Sequence, residues 1–353
     1  MGEKEGASGG AIGGESPLAR LAAGDPPVID HGLLAAWRFD AEGRARRLNW
    51  GAELKEAPAP GEGWVWVHLR LKSPRARDWL MESAGLPEAA MWAMLEEDVA
   101  PRVSRFDEGT LIVLRAVNLN PGSEPEDMVS MRLFVTPTRA VSVVTQRIWA
   151  VGGVINDCEG GRGPATVGDF VVRLVEDLRA NAEPVLDDLE SDIEAFELDI
   201  LAGRDPRPAR HHATFNDARQ DMIILRRHFA PQAEALRKLI QQPPEWLTDP
   251  EAIREEAVGF QRIVEDLDAL RERASLVRDD MYMRLNERQN RTILLLSLVS
   301  AVFLPITFVT GLLGANVGGI PLAGSRWGFW IICGMIVALV GLEVWLIKRL
   351  KLL

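Results

Sequence analysis

Two long apolar segments near the end of the chain differ from the mixed pattern that precedes them. The run Ile293–Leu313 contains 21 residues, and no charged residue occurs from Thr292 to Ser325. A helix of that length rises about 30 Å, which matches the hydrocarbon core of a bilayer. A second apolar run follows at Trp327–Ile347. The pattern predicts transmembrane helices over 291–313 and 327–347, an external loop over 314–326 and a basic tail over 348–353.

The chain before these spans divides into three parts. Residues 1–24 are rich in Gly and Ser and lack periodicity, which predicts a disordered N-terminal tail. Residues 25–165 mix β and α signals, which predicts a cytoplasmic α/β domain with a small mixed sheet. Residues 166–290 keep a helical period throughout, which predicts a region of long stalk helices. The predicted fold class is therefore an α+β cytoplasmic domain with long stalk helices, followed by two C-terminal transmembrane helices.

Short elements are predicted within the α/β domain from alternation and turn residues. The Pro-containing segment Thr136–Arg139 predicts a hairpin turn between two strands. Two short helices are predicted at Ala76–Ala84 and Glu88–Glu96. The predicted strands are Gly63–Leu69, Thr110–Val117, Met131–Val135 and Ala140–Val144.

Three long helices are predicted after this domain. The first two cover Thr166–Leu201 and Ala209–Leu239. The third begins with Asp249 as N-cap and Pro250 at the first helical position. No Gly or Pro interrupts it between Gly259 and Pro305, so the first span should be the end of a helix of roughly 60 residues, about 90 Å long.

Charge and cysteine content narrow the function. The net charge of −11 disfavours nucleic acid as a partner and favours cations. Two cysteines, Cys158 and Cys333, exclude a disulfide framework and a thiolate zinc cluster. The N-terminus has no apolar core after a basic region, so no cleavable signal peptide is expected.

Basic residues predict how the hairpin is oriented in the membrane. Three precede the first span, three follow the second, and one lies in the connecting loop. The excess of positive charge on one side places both termini in the cytoplasm and the loop outside, in the inner membrane. These residues are Arg284, Arg288, Arg291, Lys348, Arg349, Lys351 and, in the loop, Arg326.

A polar stripe is predicted along the first span. Its residues recur at steps of three, four and seven, so they share one face of a helix, and their small or hydroxyl side chains offer neutral oxygens to a hydrated ion. Two helices per chain cannot enclose an aqueous path, so a pore would need several copies around one axis. Alternatively, the hydroxyls only bond carbonyls of their own helix. The stripe comprises Asn290, Ser297, Ser300, Thr307 and Gly311, with Leu304 as a constriction on the same face.

The segment after this stripe resembles the signature of a known family. Gly311–Asn316, reading GLLGAN, is similar to the Gly-x-Asn signature that ends the first transmembrane helix in the CorA superfamily of divalent-cation transporters. The flanks Leu304–Phe308 and Val317–Pro321 match as well. With Ala315 in the middle and no acid in the loop, the segment resembles the zinc-transporting ZntB branch more than the magnesium branch.

The resemblance implies an architecture and a site. It implies a funnel-shaped homopentamer, in which the cytoplasmic domain and long helices form the funnel and the first spans line the pore. Gly314 and Asn316 keep the signature, and Asn316 would supply a ring of amide oxygens at the outer mouth. Thr307 and Asn290 fall on pore positions further in. The zinc branch is thought to couple transport to protons, but the first span holds no His, Asp or Glu for a relay.

Other charged or metal-ligating residues are interpreted as structural. The five His residues lie outside the spans and lack a common spacing, which disfavours a functional zinc site among them and leaves any metal-binding residues unassigned. Glu343, in the second span, is expected to snorkel to the interface rather than to act in transport. The acidic stretch Glu183–Asp199 is either a cation-concentrating surface or, preferably, a solvated face paired with bases of the next helix. Those bases are Arg207, Arg210, Arg219, Arg226 and Arg227.

The sequence as a whole predicts a transporter of divalent metal cations, with zinc as the favoured ion. Its partners would be further copies of the chain, the lipid bilayer and the transported cation, with no resident cofactor. A magnesium, cobalt or nickel channel of the same architecture is the first alternative. A membrane-anchored sensor or scaffold is the second. No enzyme is expected, because the chain lacks a nucleotide loop, a nucleophile elbow and a paired His–carboxylate motif.

Overall fold

The computed structural model describes residues 32–97, 99–202, 211–314 and 325–349, without the side chains of 211–214 and 346–348. Seven strands and seven α-helices lie within these ranges. The strands are β1 (Leu33–Phe39), β2 (Ala45–Arg47), β3 (Trp64–Arg70), β4 (Arg102–Phe106), β5 (Gly109–Ala116), β6 (Val129–Thr136) and β7 (Arg139–Val144). The helices are α1 (Pro74–Glu82), α2 (Glu88–Leu95), α3 (Trp149–Glu159), α4 (Val167–Leu201), α5 (His211–Gln241), α6 (Pro250–Leu313) and α7 (Gly328–Arg349).

The seven strands form one mixed sheet in the order β2-β1-β3-β7-β6-β5-β4. Only β3 and β7 pair in parallel, and the other neighbours are antiparallel. The Thr136–Arg139 turn closes the β6–β7 hairpin, since these two residues are the last paired positions. The prediction of a mixed sheet with this hairpin is confirmed.

Both faces of the sheet are buried beneath helices. Successive side chains of a strand point to opposite faces, so each strand contributes to both cores. On one face, Val65, Val67 and Val143 join a core with α1 and α2. On the other face, the rings of Trp64 and Trp66 lie 5.4 and 4.9 Å from Phe170 of α4. The sheet is therefore the middle of three layers, which explains why β3 is buried along nearly its whole length.

A polar network is enclosed within the second of these faces. Ser142 Oγ lies 2.8 Å from His68 Nδ1, accepts a hydrogen bond from Trp66 Nε1 at 2.8 Å and donates to the Val67 carbonyl at 3.4 Å. Burial, with the charge of Arg70, lowers the pKa of His68 to about 3. This histidine is therefore neutral, and its Nδ1 contacts Ser142 inside the core.

The three long helices contact one another through aromatic and charged side chains. Phe196 of α4 packs on Phe215 of α5 with ring centroids 5.1 Å apart, and Phe229 of α5 lies 5.7 Å from Phe260 of α6. Asp249 caps α6 as predicted, since its Oδ1 accepts hydrogen bonds from the amides of residues 251 and 252. The predicted bounds of α4 and α5 and the predicted start of α6 agree with the structure to within two residues.

The acidic face of α4 pairs differently from the sequence prediction. Arg273 of α6 bonds Glu190 at 3.3 Å and Glu197 at 2.8 Å, while Arg179 of α4 itself pairs with Glu183. Arg226 of α5, an expected partner, instead bonds Asp268 of α6 at 2.6 Å. The prediction that the acids of α4 pair with bases of α5 is therefore wrong for these ion pairs, because their partner Arg273 lies on α6. Arg207 and Arg210 lie outside the described residues.

The chain divides into two compact units. One contains the sheet and the helices as far as Arg273, except the end of α4 from Asp199 onward. The other contains that end of α4, α6 from Ala274 onward and α7. In the second unit, α6 and α7 are each long and apolar enough to cross a membrane. Their membrane-spanning windows are 0% and 6% buried, so these helices are not the core of a soluble domain.

Candidate functional site

The polar stripe predicted on the first span lies on an exposed side of α6. The half-buried residues of the same stretch, such as Leu298, Val302 and Val309, recur at steps of four and seven on another side. At 100° per residue, the two sets lie about 150° apart around the helix. Half-buried positions on α7 repeat similarly, as two packed helices require. The hairpin thus leaves these six residues uncovered: Asn290, Ser297, Ser300, Leu304, Thr307 and Gly311.

The threonine hydroxyl of the stripe bonds its own helix. Thr307 Oγ1 donates to the Phe303 carbonyl at 2.8 Å, and Thr310 Oγ1, which lies off the stripe, donates to the Ile306 carbonyl at 2.9 Å. Thr307 therefore makes the local bond that the alternative expects. A hydroxyl that donates its proton in this way keeps its lone pairs for another partner. The local bond consequently orients the Thr307 oxygen as an acceptor, which is the polarity that a cation needs.

Leu304 is the most prominent apolar residue of the stripe. It is 72% exposed, and it borders a recess of about 500 Å³. Because it lies between the polar residues Ser300 and Thr307, a ring of such side chains would interrupt a hydrophilic path with a short apolar constriction. The recess is lined by Ser300, Phe303, Leu304, Thr307 and Phe308.

The end of α6 requires glycine. The Gly314 amide donates to the Thr310 carbonyl at 2.9 Å, and a Cβ at Gly314 would lie 2.9 Å from that same backbone oxygen. A larger residue would therefore disturb the last turn of the helix. Ala315 and Asn316 lie outside the described residues, so their role at the outer mouth stays a prediction.

The exposed stripe extends beyond the residues that were predicted from the sequence. Continuing the same steps of four and three from Asn290 toward the N-terminus reaches Asn286, Met283 and Asp279, all of which are exposed. Asp279 is an acid on this face, with one carboxylate oxygen 3.1 Å from the Arg278 guanidinium. Carrying the count below the apolar span would have found these residues.

Strong metal ligands are not gathered at this stripe. Across the described ranges, no group of three or more His, Cys, Asp or Glu side chains could hold a metal ion. The ligands that the stripe offers are neutral hydroxyl and amide oxygens, which suit hydrated divalent cations and weak, exchangeable binding.

Glu343 occupies a different position from the one expected of a snorkelling side chain. It is half-buried on α7, and its Oε2 is excluded from solvent without a hydrogen-bond partner among the described residues. It belongs to the half-buried face of α7, which also holds Ile336 and Val340.

Known proteins match nearly the whole chain. A family model described as CorA-like Mg2+ transporter protein matches residues 61–349. The divalent cation transporter CmaX of Pseudomonas aeruginosa is 35% identical over 327 residues, covering 91% of this chain and 97% of that protein. The zinc transport protein ZntB of Pectobacterium atrosepticum is also 35% identical, covering 91% and 96% of the two chains.

Solved structures show the same fold. The full-length CmaX structure superposes with a TM-score of 0.79 at 34% identity, covering 92% of this chain and all of the other. The CorA magnesium transporter of Methanocaldococcus jannaschii has a TM-score of 0.72 over 90% of this chain and 98% of its own. At 17% identity, the latter comparison is evidence for the fold alone.

Proposed function

The chain belongs to the family of CorA-like Mg2+ transporter proteins, and on that premise we propose that it carries divalent cations, zinc foremost, along the polar stripe of α6. The family consists of transporters, which confirms the prediction that the chain is not an enzyme. The observation that supports the path is the exposed stripe from Asn290 to Gly311, which the hairpin leaves uncovered although it lies in an apolar span.

The stripe needs other copies of the chain to become a path. Exposed hydroxyls and an amide are unfavourable in hydrocarbon, whereas a ring of helices would turn them toward a shared aqueous axis. We infer a cyclic homo-oligomer, and a pentamer is the state that the family resemblance implies. In that ring, Leu304 forms the narrowest apolar layer, and Thr307 and Ser300 supply oxygens on either side of it.

Zinc is the favoured ion because of the relatives and the loop. The ZntB and CmaX relatives are named as zinc and divalent-cation transporters and match over nine-tenths of the chain. The segment Gly314–Ser325 contains no acidic residue, so its charge gives no preference for strongly hydrated Mg²⁺. Asn316 is proposed to meet the hydrated ion at the outer mouth through its amide oxygen.

The orientation follows from the basic residues. With six lysines and arginines on one side of the hairpin and Arg326 on the other, we place both termini in the cytoplasm and the loop outside. In this orientation Asp279 lies on the cytoplasmic side of the path, where an acid would raise the local concentration of cations. The protein would then reside in the inner membrane as a two-span subunit.

The alternative function is a magnesium, cobalt or nickel channel of the same architecture. The specific observation in its favour is the description of the family itself, which names Mg²⁺. Flux of radioactive zinc into proteoliposomes, with unlabelled Mg²⁺ as competitor, separates the two. Zinc uptake that persists in millimolar Mg²⁺ supports the zinc assignment, and Mg²⁺ flux that excludes zinc supports the alternative.

Proton coupling is tested in the same preparation. Residues 293–313 contain no titratable side chain, so we expect zinc uptake to proceed without a pH gradient. A gradient that is required for uptake would show that protons move by a route outside this stripe, and Glu343 would be the first residue to examine.

A further inference from the structure

The arginines at the cytoplasmic end of the hairpin form a surface that the transport path does not use. Arg284, Arg288 and Arg291 are exposed and are spaced at i, i+4 and i+7, so they share one face of α6. From Tyr282 to Leu342 the chain has a single acidic residue, Glu287. We call these three residues the arginine face.

The arginine face continues the side of α6 that is half-buried within the hairpin. The steps of three and four that connect these arginines lead on to Leu298, Val302 and Val309. It therefore lies nearly half a turn away from the polar stripe. These charges are consequently directed away from the proposed ion path.

The level of these side chains corresponds to the polar layer of a membrane. Counted from Ile293, where the apolar run begins, Arg291 lies about 3 Å, Arg288 about 8 Å and Arg284 about 14 Å beyond the hydrocarbon edge. The headgroup layer of one leaflet is roughly 5–8 Å thick. On α7, the guanidinium of Arg349 lies 5.1 Å from the ring centroid of Trp345, which marks an interfacial position on the second helix.

We propose that the arginine face binds the phosphate of an anionic phospholipid in the cytoplasmic leaflet. A guanidinium presents a planar fork of N–H donors that matches two phosphate oxygens, and the surface has an excess of positive charge. Arg291 and Arg288 lie at headgroup depth and contact the phosphate, whereas Arg284 contributes through its longer-range field. The lipid thereby fixes the depth of α6, on which the level of Leu304 and Thr307 in the bilayer depends.

This inference rests on the membrane orientation given under Proposed function, but not on transport. It is tested by counting bound lipids on the full chain in detergent by native mass spectrometry. The probes are dioleoyl-phosphatidylglycerol, dioleoyl-phosphatidylcholine and inorganic phosphate. Because no flux is measured, a failed lipid assay leaves the transport proposal intact, and failed transport leaves the lipid result intact.

The expected results are graded by depth. Phosphatidylglycerol should bind at least about tenfold more tightly than phosphatidylcholine. A basic residue near an anionic surface contributes about 1 kcal/mol, so R291Q and R288Q should each weaken phosphatidylglycerol binding about fivefold, and R284Q should weaken it less. R326Q, which removes a charge at the other end of the hairpin, is the matched control and should leave binding unchanged.

Three results would overturn the proposal. One is equal binding of the two lipids, and another is an equal loss in R326Q and R291Q. The third is displacement of phosphatidylglycerol by inorganic phosphate at equal concentration, which would identify a site for free phosphate. The R288K/R291K variant keeps the charge but loses the guanidinium fork, so it should bind phosphatidylglycerol more tightly than R288Q/R291Q and less tightly than the wild type.

Discussion

The sheet and the hairpin both contain large aromatic side chains, but these are buried in the sheet and exposed on the hairpin. Trp64 and Trp66 are 2% and 0% exposed in the sheet, whereas Phe303 and Phe308 of α6 are 63% and 68% exposed. In the sheet domain, the surroundings of each ring are supplied by the chain itself. In the hairpin the chain itself leaves the rings exposed, which is typical of helices that are surrounded by lipid or by other chains. Exposed apolar surface on a single chain therefore indicates that this part of the protein is not surrounded by water.

Polar groups show the same contrast. His68 and Ser142 satisfy each other inside the sheet domain, and Arg179 bonds the buried Glu256 at 2.7 Å between α4 and α6. On the hairpin, the polar stripe faces outward, and Thr307 bonds only its own helix. Internal hydrogen bonding marks a structural role, whereas the uncovered polar stripe is the feature on which the proposed ion path rests.

The largest expected effect on thermal stability comes from truncating one phenylalanine in each of the two regions. Phe260 is fully buried against Phe229, so Phe260→Ala should cost about 3–5 kcal/mol and lower the thermal unfolding midpoint by roughly 5–15 °C. Phe308→Ala removes the same atoms from an exposed site and should shift the midpoint by less than about 2 °C. The midpoints are measured on the full chain in detergent, and equal shifts would remove the distinction.

The next effect concerns the outer end of the polar stripe. Asn316→Ala removes the amide that is proposed to meet the hydrated ion, so zinc uptake should fall at least about tenfold while the oligomer stays intact. Uptake into proteoliposomes and light scattering of the same sample measure the two properties. Wild-type flux in this variant would show that Asn316 does not belong to the path.

A smaller effect separates the polar stripe from the rest of its helix. Thr307 and Thr310 make the same hydroxyl-to-carbonyl bond, but only Thr307 lies on the stripe. Thr307→Val should therefore reduce zinc flux about threefold, whereas Thr310→Val should not change it. Equal reductions would indicate that the hydroxyls act on helix structure and not on the ion.

The smallest effect is a pH dependence within the sheet domain unit. Burial, with the neighbouring carboxylates Glu126 and Asp217, raises the pKa of Asp221 from 3.8 to about 6. The folded chain therefore binds this proton more tightly than the unfolded chain, and its contribution to stability is lost as pH rises from about 4 through 6.

Asp221→Asn tests this dependence. It should raise the midpoint by about 1–2 °C at pH 7.5 and have no effect at pH 4, because the wild-type carboxyl is then already neutral. The effect is small since Asp221 is partly exposed and its charge is screened by solvent. A benefit that is equal at both pH values would show that charge is not its cause.

Local signals explain which parts of the fold could be predicted. The cap at Asp249 and the Pro-containing hairpin turn are encoded by adjacent residues, and each prediction agrees with the structure. β1, β2 and β4 were not predicted, and neither was α3. β1 contains two alanines and β2 has only three residues, so their strand character comes from pairing with β3 and with each other.

Long-range contacts explain the rest. The acids of α4 meet Arg273 of α6, which is 76 residues from Glu197 in sequence, and no local pattern contains that pairing. The exposure of the polar stripe could be predicted because regular spacing on a helix places residues on one face. Oligomeric state and ion choice depend on partners outside the chain. The stripe below Asn290 was missed only because the count ended where the apolar residues end.

The central claim is that the uncovered polar stripe of α6 carries zinc through a ring of identical chains. The most direct measurement is uptake of radioactive zinc into proteoliposomes containing the wild-type chain, Thr307→Val or Thr310→Val at matched protein density. We expect zinc uptake by the wild type, reduced uptake by Thr307→Val and wild-type uptake by Thr310→Val. Absence of zinc uptake by the wild type, or equal uptake by all three proteins, would contradict it.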